Sequence, residues 1–232
     1  MSFRARIGIF VAVIAVAALL VVYGVVRNRP SSSPSASPSA SQAQPTQGQG
    51  QPDADAQTAG ATTGDSRILI VYFSRTEGVY GGDLDVGNTK RVADFIQEHT
   101  GGDEYEIIPL EEYPSDYDET TEVAQQEQRD DARPAIRDPL PDVSDYDVVF
   151  VGAPVWWGEY PMVVRTFLDG VDLNGKTVIP FTTHEGSGLG NTAQQLETQY
   201  PNATVREGFA VRGTESANSQ GDVDSWLDEL GY

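Results

Sequence analysis

Two nearly continuous apolar runs, each about as long as one β-strand, limit the fold of this chain more than any other feature. Residues 67–73 read RILIVYF and residues 147–152 read DVVFVG. A strand with one face in solvent alternates apolar and polar residues, and these runs do not alternate. They are typical of strands buried on both faces, as in parallel sheets covered by helices. The sequence therefore predicts an α/β fold.

Segments with helical spacing lie between the strand-like runs. In the clearest of them, Val92, Phe95 and Ile96 follow the i, i+3, i+4 pattern of one helix face. We predict strands over residues 67–73, 106–110, 147–152, 177–181 and 204–211. We predict helices over residues 88–97, 116–131, 161–168, 191–200 and 222–230. Alternating strands and helices indicate a doubly wound parallel sheet, which binds ligands at the carboxyl ends of its strands.

An apolar run near the N-terminus predicts a membrane segment. Residues 7–26 are 20 residues without a charge or a proline, and a helix of that length spans about 30 Å, the thickness of the hydrocarbon core. Arginines at positions 4, 6, 27 and 29 flank the run and disfavour a buried core helix. A cleaved signal peptide usually has a shorter apolar region. We therefore expect a retained single-span anchor, with a cleaved signal as the alternative.

The segment after the apolar run has the composition of a disordered tether. Residues 30–65 are rich in Ser, Pro and Gln and contain no aromatic residue, so they cannot bury enough surface to offset chain entropy. The predicted division is a membrane segment over residues 1–29, a tether over 30–65 and a folded domain over 66–232. A spacer of this kind suits a domain held away from a membrane surface, and we expect the domain to lie outside the cytoplasm.

Charge and composition exclude several classes of function. Residues 1–64 carry four Arg and two Asp, a net charge of +2, whereas residues 65–232 carry 11 basic and 33 acidic residues, a net charge of −22. Phosphate backbones repel such an acidic domain, so nucleic-acid binding is excluded. The chain has no Cys and two His, which excludes disulfides, thiolate metal centres, a Cys nucleophile and a three-His metal site. No metal site is predicted.

The loop after the first strand has the features of a phosphate site. Ser74, Arg75 and Thr76 follow the strand directly, and Asn88 and Thr89 open the next helix. Free N–H groups at a helix N-terminus, together with nearby hydroxyls, favour an anion. An ordinary loop in which Asn88 caps the helix is the alternative. The loop is not a Walker loop, because Gly-Lys-Ser/Thr is absent.

The loops after two later strands fit a flat ligand. Residues 153–161 contain the adjacent Trp156 and Trp157, which suit an aromatic ligand or packing on the domain's own helices. Residues 182–191 are rich in glycine, which lets backbone approach a ligand closely. His184 and Glu185 also lie in that loop, but their spacing does not require an acid–base pair. Together, the three loops describe a site for a mononucleotide with a planar ring.

These stretches resemble the flavodoxin-like superfamily, and within it the short bacterial flavodoxin-like family. The resemblance covers about residues 67–231 and is carried by VYFSRTEG, VGNTKRVADFI, YPSDYDETTEVAQQEQRDDARP, VGAPVWWGEYPMVVRTFLDG and GKTVIPFTTHEGSGLGNT. It implies a three-layer sandwich with a five-stranded parallel sheet in the order 2-1-3-4-5, and FMN bound non-covalently. Two departures are an insertion over residues 77–86, and Glu185 where a small residue is expected.

The resemblance also implies which residues hold FMN. Those around the phosphate would be Ser74, Arg75, Thr76, Asn88 and Thr89. Those on one side of the flavin ring would be Pro154, Val155, Trp156, Trp157 and Gly158. Those on its other side would be Thr183, His184, Gly186, Ser187 and Gly188. No residue is predicted to be catalytic in its own right, because the cofactor carries the redox chemistry.

We therefore expect an FMN-binding electron carrier or flavin-dependent oxidoreductase, tethered to the membrane. Its redox partner would be a protein, a quinone or a nicotinamide. The first alternative is an NAD(P)H- or quinol-linked FMN reductase of the same fold. The second is a flavin-free binding module, since a fold does not fix a function. The acidic domain and Glu185 would disfavour a negatively charged reduced flavin.

Overall fold

The computed structural model describes residues 66–232, so the predicted membrane segment and tether lie outside the described residues. The strands are β1 (Ile68–Tyr72), β2 (Asp103–Glu106), β3 (Val148–Pro154), β4 (Thr177–His184), β5 (Thr204–Val205) and β6 (Phe209–Arg212). The helices are α1 (Asn88–Thr100), α2 (Tyr117–Arg129), α3 (Met162–Gly170), α4 (Thr192–Gln199) and α5 (Gln220–Leu230), with a 3₁₀ helix over Gly213–Asn218. Each of the five predicted helices is present, with ends shifted by three residues or fewer. Within residues 66–232, no helix is long and apolar enough to cross a membrane.

The strands form one parallel sheet in the order β2-β1-β3-β4-β5, with β6 also paired to β4. This confirms the predicted order 2-1-3-4-5. Side chains of β1 alternate between two cores: Leu69 and Val71 pack with α3 and α4, whereas Ile68 and Ile70 pack with α1 and α5. All five residues of β1 are buried. The apolar run therefore marks a strand covered by helices on both faces, and the fold is a three-layer α/β/α sandwich.

The second strand was misplaced by the sequence analysis. The prediction was residues 106–110, whereas β2 spans Asp103–Glu106 and pairs with β1 from Leu69 to Tyr72. β2 is an edge strand whose four residues, DEYE, are exposed or half-buried. The apolar residues that suggested a strand follow it instead, and among them Leu110 is exposed. An acidic edge strand has no continuous apolar run to reveal it.

The predicted fifth strand, residues 204–211, is broken into β5 and β6. The even-numbered residues of β4 direct their backbone hydrogen-bonding groups toward this strand. The bond from the Arg206 N–H to the Val178 carbonyl (3.0 Å) is an example. Pro180 is the next residue on that side and has no N–H to donate. A Cβ at Gly208 would lie 2.6 Å from the Pro180 carbonyl oxygen. The break therefore lies opposite Pro180, where the ladder loses a donor.

Candidate functional site

The loops after β1, β3 and β4 meet in a cleft of about 460 Å³ at the carboxyl edge of the sheet. This volume lies within the range of small-molecule sites, roughly 300–1,000 Å³. We call this site the main cleft. The sequence-predicted residues that line it are Ser74, Arg75, Asn88, Thr89, Pro154, Val155, Trp156, Trp157, Thr183 and His184. The topology thus brings members of all three predicted loops into one site.

Five predicted residues do not line the main cleft. They are Thr76, Gly158, Gly186, Ser187 and Gly188. Thr76 lies at the base of the insertion, where its carbonyl accepts a hydrogen bond from the Leu84 N–H (2.8 Å). The Gly188 carbonyl accepts from the Thr182 hydroxyl (3.1 Å), which fixes the third loop internally.

Sequence reasoning missed eight lining residues. They are Gly78, Val79, Tyr80, Tyr117, Thr120, Thr121, Ala124 and Gly213, whereas Glu185, which the sequence analysis placed near the flavin, also lines the cleft. Three belong to the insertion and four to α2. The insertion was visible in the sequence as ten extra residues, but nothing in it predicted that it would fold against α2.

The N-terminus of α1 forms the most polar part of the main cleft. Gly87, not Asn88, is the N-cap residue, and it has no side chain with which to cap the helix. The Ser74 Oγ accepts a hydrogen bond from the Lys90 N–H (3.1 Å), so its own proton remains available to a ligand. A Cβ on Gly87 would collide with the Ser74 Oγ and lie 2.7 Å from the Arg75 carbonyl oxygen. The first turn of α1 and the Ser74 hydroxyl therefore lie together at the main cleft, which suits an anion.

Two buried hydroxyls link this helix end to β4. The Oγ1 atoms of Thr89 and Thr183 are 2.8 Å apart, and both residues are buried. One hydroxyl donates to the other, so the pair retains one proton for a further acceptor. Nearby, the Asn88 Oδ1 accepts from the Ser216 hydroxyl (2.9 Å). These contacts fix the polar side chains before any ligand binds.

The Arg75 guanidinium points to the segment before α2. Its Nη2 donates to the carbonyl oxygens of Tyr113 (3.2 Å) and Pro114 (2.7 Å), and its Nη1 donates to the Thr120 hydroxyl (3.0 Å). Burial lowers the pKa of Arg75, but the ordinary pKa of arginine is so high that the group stays charged. Arg75 thus joins the first loop to α2 and adds positive charge at the main cleft.

The two tryptophans occupy different environments. The Trp156 ring packs edge-to-face on Phe73 (centroids 5.5 Å apart) and on Tyr113 (5.0 Å). The Trp157 ring is 53% exposed, and its Nε1–H donates to the Thr121 carbonyl (3.0 Å). Trp156 therefore packs on core aromatics while it lines the cleft, and Trp157 covers the cleft from outside.

A tight turn holds Trp157 in that position. The backbones of Trp156 and Glu159 exchange two hydrogen bonds of 3.0 Å, and between them Trp157 and Gly158 have φ of 50° and 83°. Two central residues with positive φ define a type I′ turn, which favours Asn-Gly. A tryptophan at the first central position is strained by roughly 1–3 kcal/mol. Such strain is typical of residues with a functional role.

The difference between the tryptophans gives a first prediction. Trp156→Ala is expected to lower the free energy of unfolding by about 3 kcal/mol, because it leaves a cavity among packed rings. Trp157→Ala is expected to lower it by about 1 kcal/mol, the value of one hydrogen bond. Urea unfolding of both variants, followed by circular dichroism, checks the contrast. Equal losses of stability would contradict the assignment of Trp156 to the core.

A backbone hydrogen bond fixes the tautomer of His184, which lines the main cleft. Its Nδ1 accepts a hydrogen bond from the Gly186 N–H (2.9 Å), which leaves the proton of a neutral ring on Nε2. Burial, with a smaller effect from Arg212, lowers the pKa of His184. The imidazole is therefore uncharged at neutral pH. Among the described residues, no cluster of His, Asp and Glu is arranged to hold a metal ion.

Comparison with known proteins agrees with the fold. A flavodoxin family model matches residues 67–230. The structure of a candidate flavoprotein from Bacteroides eggerthii is 34% identical, with a TM-score of 0.59, covering 72% of this chain and 99% of that one. A second candidate flavoprotein, from Bacteroides uniformis, is 30% identical, with a TM-score of 0.58, covering 70% and 98%.

A more distant structure shares the fold alone. It is a flavoprotein from Lactobacillus acidophilus in complex with FMN, 22% identical, with a TM-score of 0.50, covering 67% of this chain and 99% of that one. No curated protein matches the chain. A parallel sheet in the order 2-1-3-4-5 with helices on both faces and a cleft at its carboxyl edge defines a doubly wound α/β protein. The chain belongs to the flavodoxin family.

Proposed function

We propose that the folded domain binds FMN non-covalently and that the protein works as an FMN-dependent electron carrier or oxidoreductase. The observation that carries the proposal is the N-terminus of α1, where the N-cap residue is a glycine without a capping side chain and which lines the same cleft as the strained Trp157. The first feature suits a phosphate and the second suits a planar ring. Family membership and the FMN complex of the Lactobacillus acidophilus protein support the same cofactor.

The donor set fits the two ends of FMN. At the phosphate end, Ser74, Asn88 and Thr89 offer hydroxyl, amide and helix N–H donors, and the absence of a Cβ at Gly87 leaves room for the Ser74 hydroxyl. At the ring end, Val155 and Trp157 supply apolar cover. The placement of Arg75 supports a role in holding the first loop against α2, with its charge attracting the phosphate from a distance.

The chain's own residues bind, orient and shield the cofactor. FMN, when bound, supplies one- or two-electron redox chemistry. The hydroxyls and helix N–H groups fix the phosphate, and Trp157 limits the access of water to the ring. The neutral His184 and Glu185 line the site. Neither side chain offers a positive charge that would stabilise a negative charge on the reduced flavin. The net charge of −22 over residues 65–232 acts in the same direction, which disfavours anionic reduced flavin.

FMN titration of the purified full chain tests the proposal. We expect flavin fluorescence to be quenched and to saturate at one FMN per chain, because Trp156 and Trp157 line the main cleft and aromatic rings in contact with a flavin quench its emission. A chain that is folded by circular dichroism and leaves FMN fluorescence unchanged would overturn the proposal and favour a flavin-free module. Turnover with NAD(P)H and a quinone then separates a reductase from an electron carrier.

We further propose that residues 7–26 anchor the chain in a membrane with the folded domain outside the cytoplasm. The support is the 20-residue apolar run and the Ser/Pro/Gln-rich spacer after it. Protease added to intact cells is expected to cut the chain between residues 30 and 65, since such segments are easy targets. Cleavage that requires lysis would place the domain in the cytoplasm. A released domain that begins after residue 26 would identify a cleaved signal.

A further inference from the structure

We infer that a second cavity, next to the main cleft, binds a planar ring that carries no negative charge. This cavity measures about 430 Å³ and is lined by residues 78–83 of the insertion and residues 115–117 before and at the start of α2. We call it the insertion cavity. It shares Gly78, Val79, Tyr80 and Tyr117 with the main cleft. The inference rests on the proposed function, because it names the kind of molecule that would meet the cofactor there.

Exposed aromatic rings are concentrated at the boundary between the two cavities. In the described part of the chain, the exposed large apolar side chains are Tyr80 (57%), Leu110 (60%), Tyr117 (44%) and Trp157 (53%). Three of these four line the main cleft, and Tyr80 and Tyr117 line both cavities. Apolar surface gathered around a concave site, rather than scattered, marks a binding surface.

Tyr80 and Tyr117 form one aromatic wall. Their ring centroids are 6.0 Å apart with an interplanar angle of 72°, which is an edge-to-face contact. Each ring therefore keeps a face that a flat ligand can stack on, and stacking adds about 0.5–1.5 kcal/mol beyond the apolar area buried. The wall gives the insertion cavity a preference for planar rings.

The insertion is fixed by contacts that position Tyr80. At its base, the Leu84 N–H donates to the Thr76 carbonyl (2.8 Å). Near its start, Gly78 has a φ of 60°, and a Cβ there would lie 2.6 Å from the Thr120 Oγ1 and 2.7 Å from the Pro114 carbonyl oxygen. The insertion thus packs against the segment before α2, and the ring of Tyr80 has a defined place beside Tyr117.

Charge decides which planar rings fit. Asp83 and Asp116 line the insertion cavity, and its described lining contains no Lys, Arg or His. Each carboxylate close to a ligand anion costs about 1 kcal/mol in water, so an anionic ring is disfavoured. A nicotinamide dinucleotide carries a pyrophosphate and fits poorly. Of the redox partners expected from the sequence, an uncharged quinone ring fits best.

Two matched probes test the inference on the full chain loaded with FMN. They are 1,4-naphthoquinone and its 2-sulfonate, which share a ring system and differ by one negative charge. The chain has no cysteine for a naphthoquinone to alkylate. Calorimetric titration is expected to show about tenfold tighter binding of the neutral ring at low salt, and a smaller gap at 0.5 M salt because of screening. In NMR spectra, the amide signals of Gly81 and Gly82 are expected to shift.

Variants with matched controls locate the site. Tyr80→Leu with Tyr117→Leu is expected to weaken the neutral ring at least tenfold, whereas Leu110→Ala, at an equally exposed apolar residue elsewhere, leaves it unchanged. Asp83→Asn with Asp116→Asn is expected to remove the difference in affinity between the two probes. Asparagine at position 116 keeps the helix cap that Asp116 provides to the Glu119 N–H. Glu197→Gln removes an exposed charge on α4 and is expected to leave the difference in affinity between the two probes unchanged.

The outcomes separate this inference from the proposed function. Equal affinities for the two probes, or no loss in the double tyrosine variant, would overturn the inference even if FMN binds. A chain that binds the neutral ring in the insertion cavity but never takes up FMN would overturn the proposed function and leave the cavity assignment standing. Circular dichroism of each variant confirms that it is folded before binding is compared.

Discussion

Ser74→Ala is expected to weaken FMN binding by about 10- to 150-fold and to leave riboflavin binding almost unchanged. The Ser74 hydroxyl accepts from the Lys90 N–H and can donate its own proton to a phosphate oxygen. A hydrogen bond to a charged group contributes about 1.5–3 kcal/mol, which corresponds to that range of affinity. Riboflavin has no phosphate and therefore does not use this hydroxyl. Fluorescence titration of both flavins measures the two affinities.

Two further variants make the result specific. Thr89→Ala is expected to weaken FMN selectively as well, and to lower stability because it leaves the buried Thr183 hydroxyl without its partner. Ser225→Ala removes a hydroxyl from the exposed face of α5, where it bonds the Gly221 carbonyl, and should change neither affinity. If Ser74→Ala weakened FMN and riboflavin equally, the loop after β1 would not be the phosphate site.

The central part of the fold was predictable because burial on both faces leaves a clear record in the sequence. β1 and β3 are covered by helices on each side, so nearly every residue in them is apolar. β2 lies at the sheet edge and is acidic, so its position depends on pairing with β1 rather than on its own pattern. The break between β5 and β6 depends on Pro180 in the neighbouring strand, and a single-strand pattern carries no such information.

The part of the site formed by residues directly after the strands could be predicted from the sequence. Ser74, Val155 and Thr183 could be assigned to one cleft because parallel strands bring their carboxyl ends to the same edge. Tyr80 and Tyr117 could not be assigned to the cleft from the sequence. The two residues are 37 positions apart and come together only because the insertion packs on α2. Such contacts between distant segments leave no periodic signal.

The roles of the tryptophans show the same limit at close range. Trp156 and Trp157 are neighbours in sequence, and the pattern alone assigned both to a ligand or both to the core. The type I′ turn sends one ring to Phe73 and Tyr113 and the other to the outside of the main cleft. The glycine after Trp157 was the only sequence signal for this turn. Because type I′ turns usually contain Asn-Gly rather than Trp-Gly, that signal is weak.

Gly87→Ala is expected to abolish most FMN binding and to lower the free energy of unfolding by about 1–3 kcal/mol. Gly87 is buried and has an ordinary φ of −63°, so backbone strain is not the cause. The added Cβ would collide with the Ser74 Oγ and press on the Arg75 carbonyl, which belongs to the backbone and cannot rotate away. Ser74 would then leave the Lys90 N–H, and the donors around the phosphate would separate.

Gly221→Ala is the matched control for this substitution. Gly221 also has no positive φ, lies within α5, and has nothing within 4 Å of the position a Cβ would take. Alanine there is expected to raise the free energy of unfolding by up to about 1 kcal/mol, because glycine is a poor helix former, and to leave FMN affinity unchanged. Urea unfolding and FMN titration of the two variants give both quantities. A Gly87→Ala chain that binds FMN as tightly as the parent would show that the phosphate does not lie against Ser74, since the two groups cannot both fit beside the new methyl group.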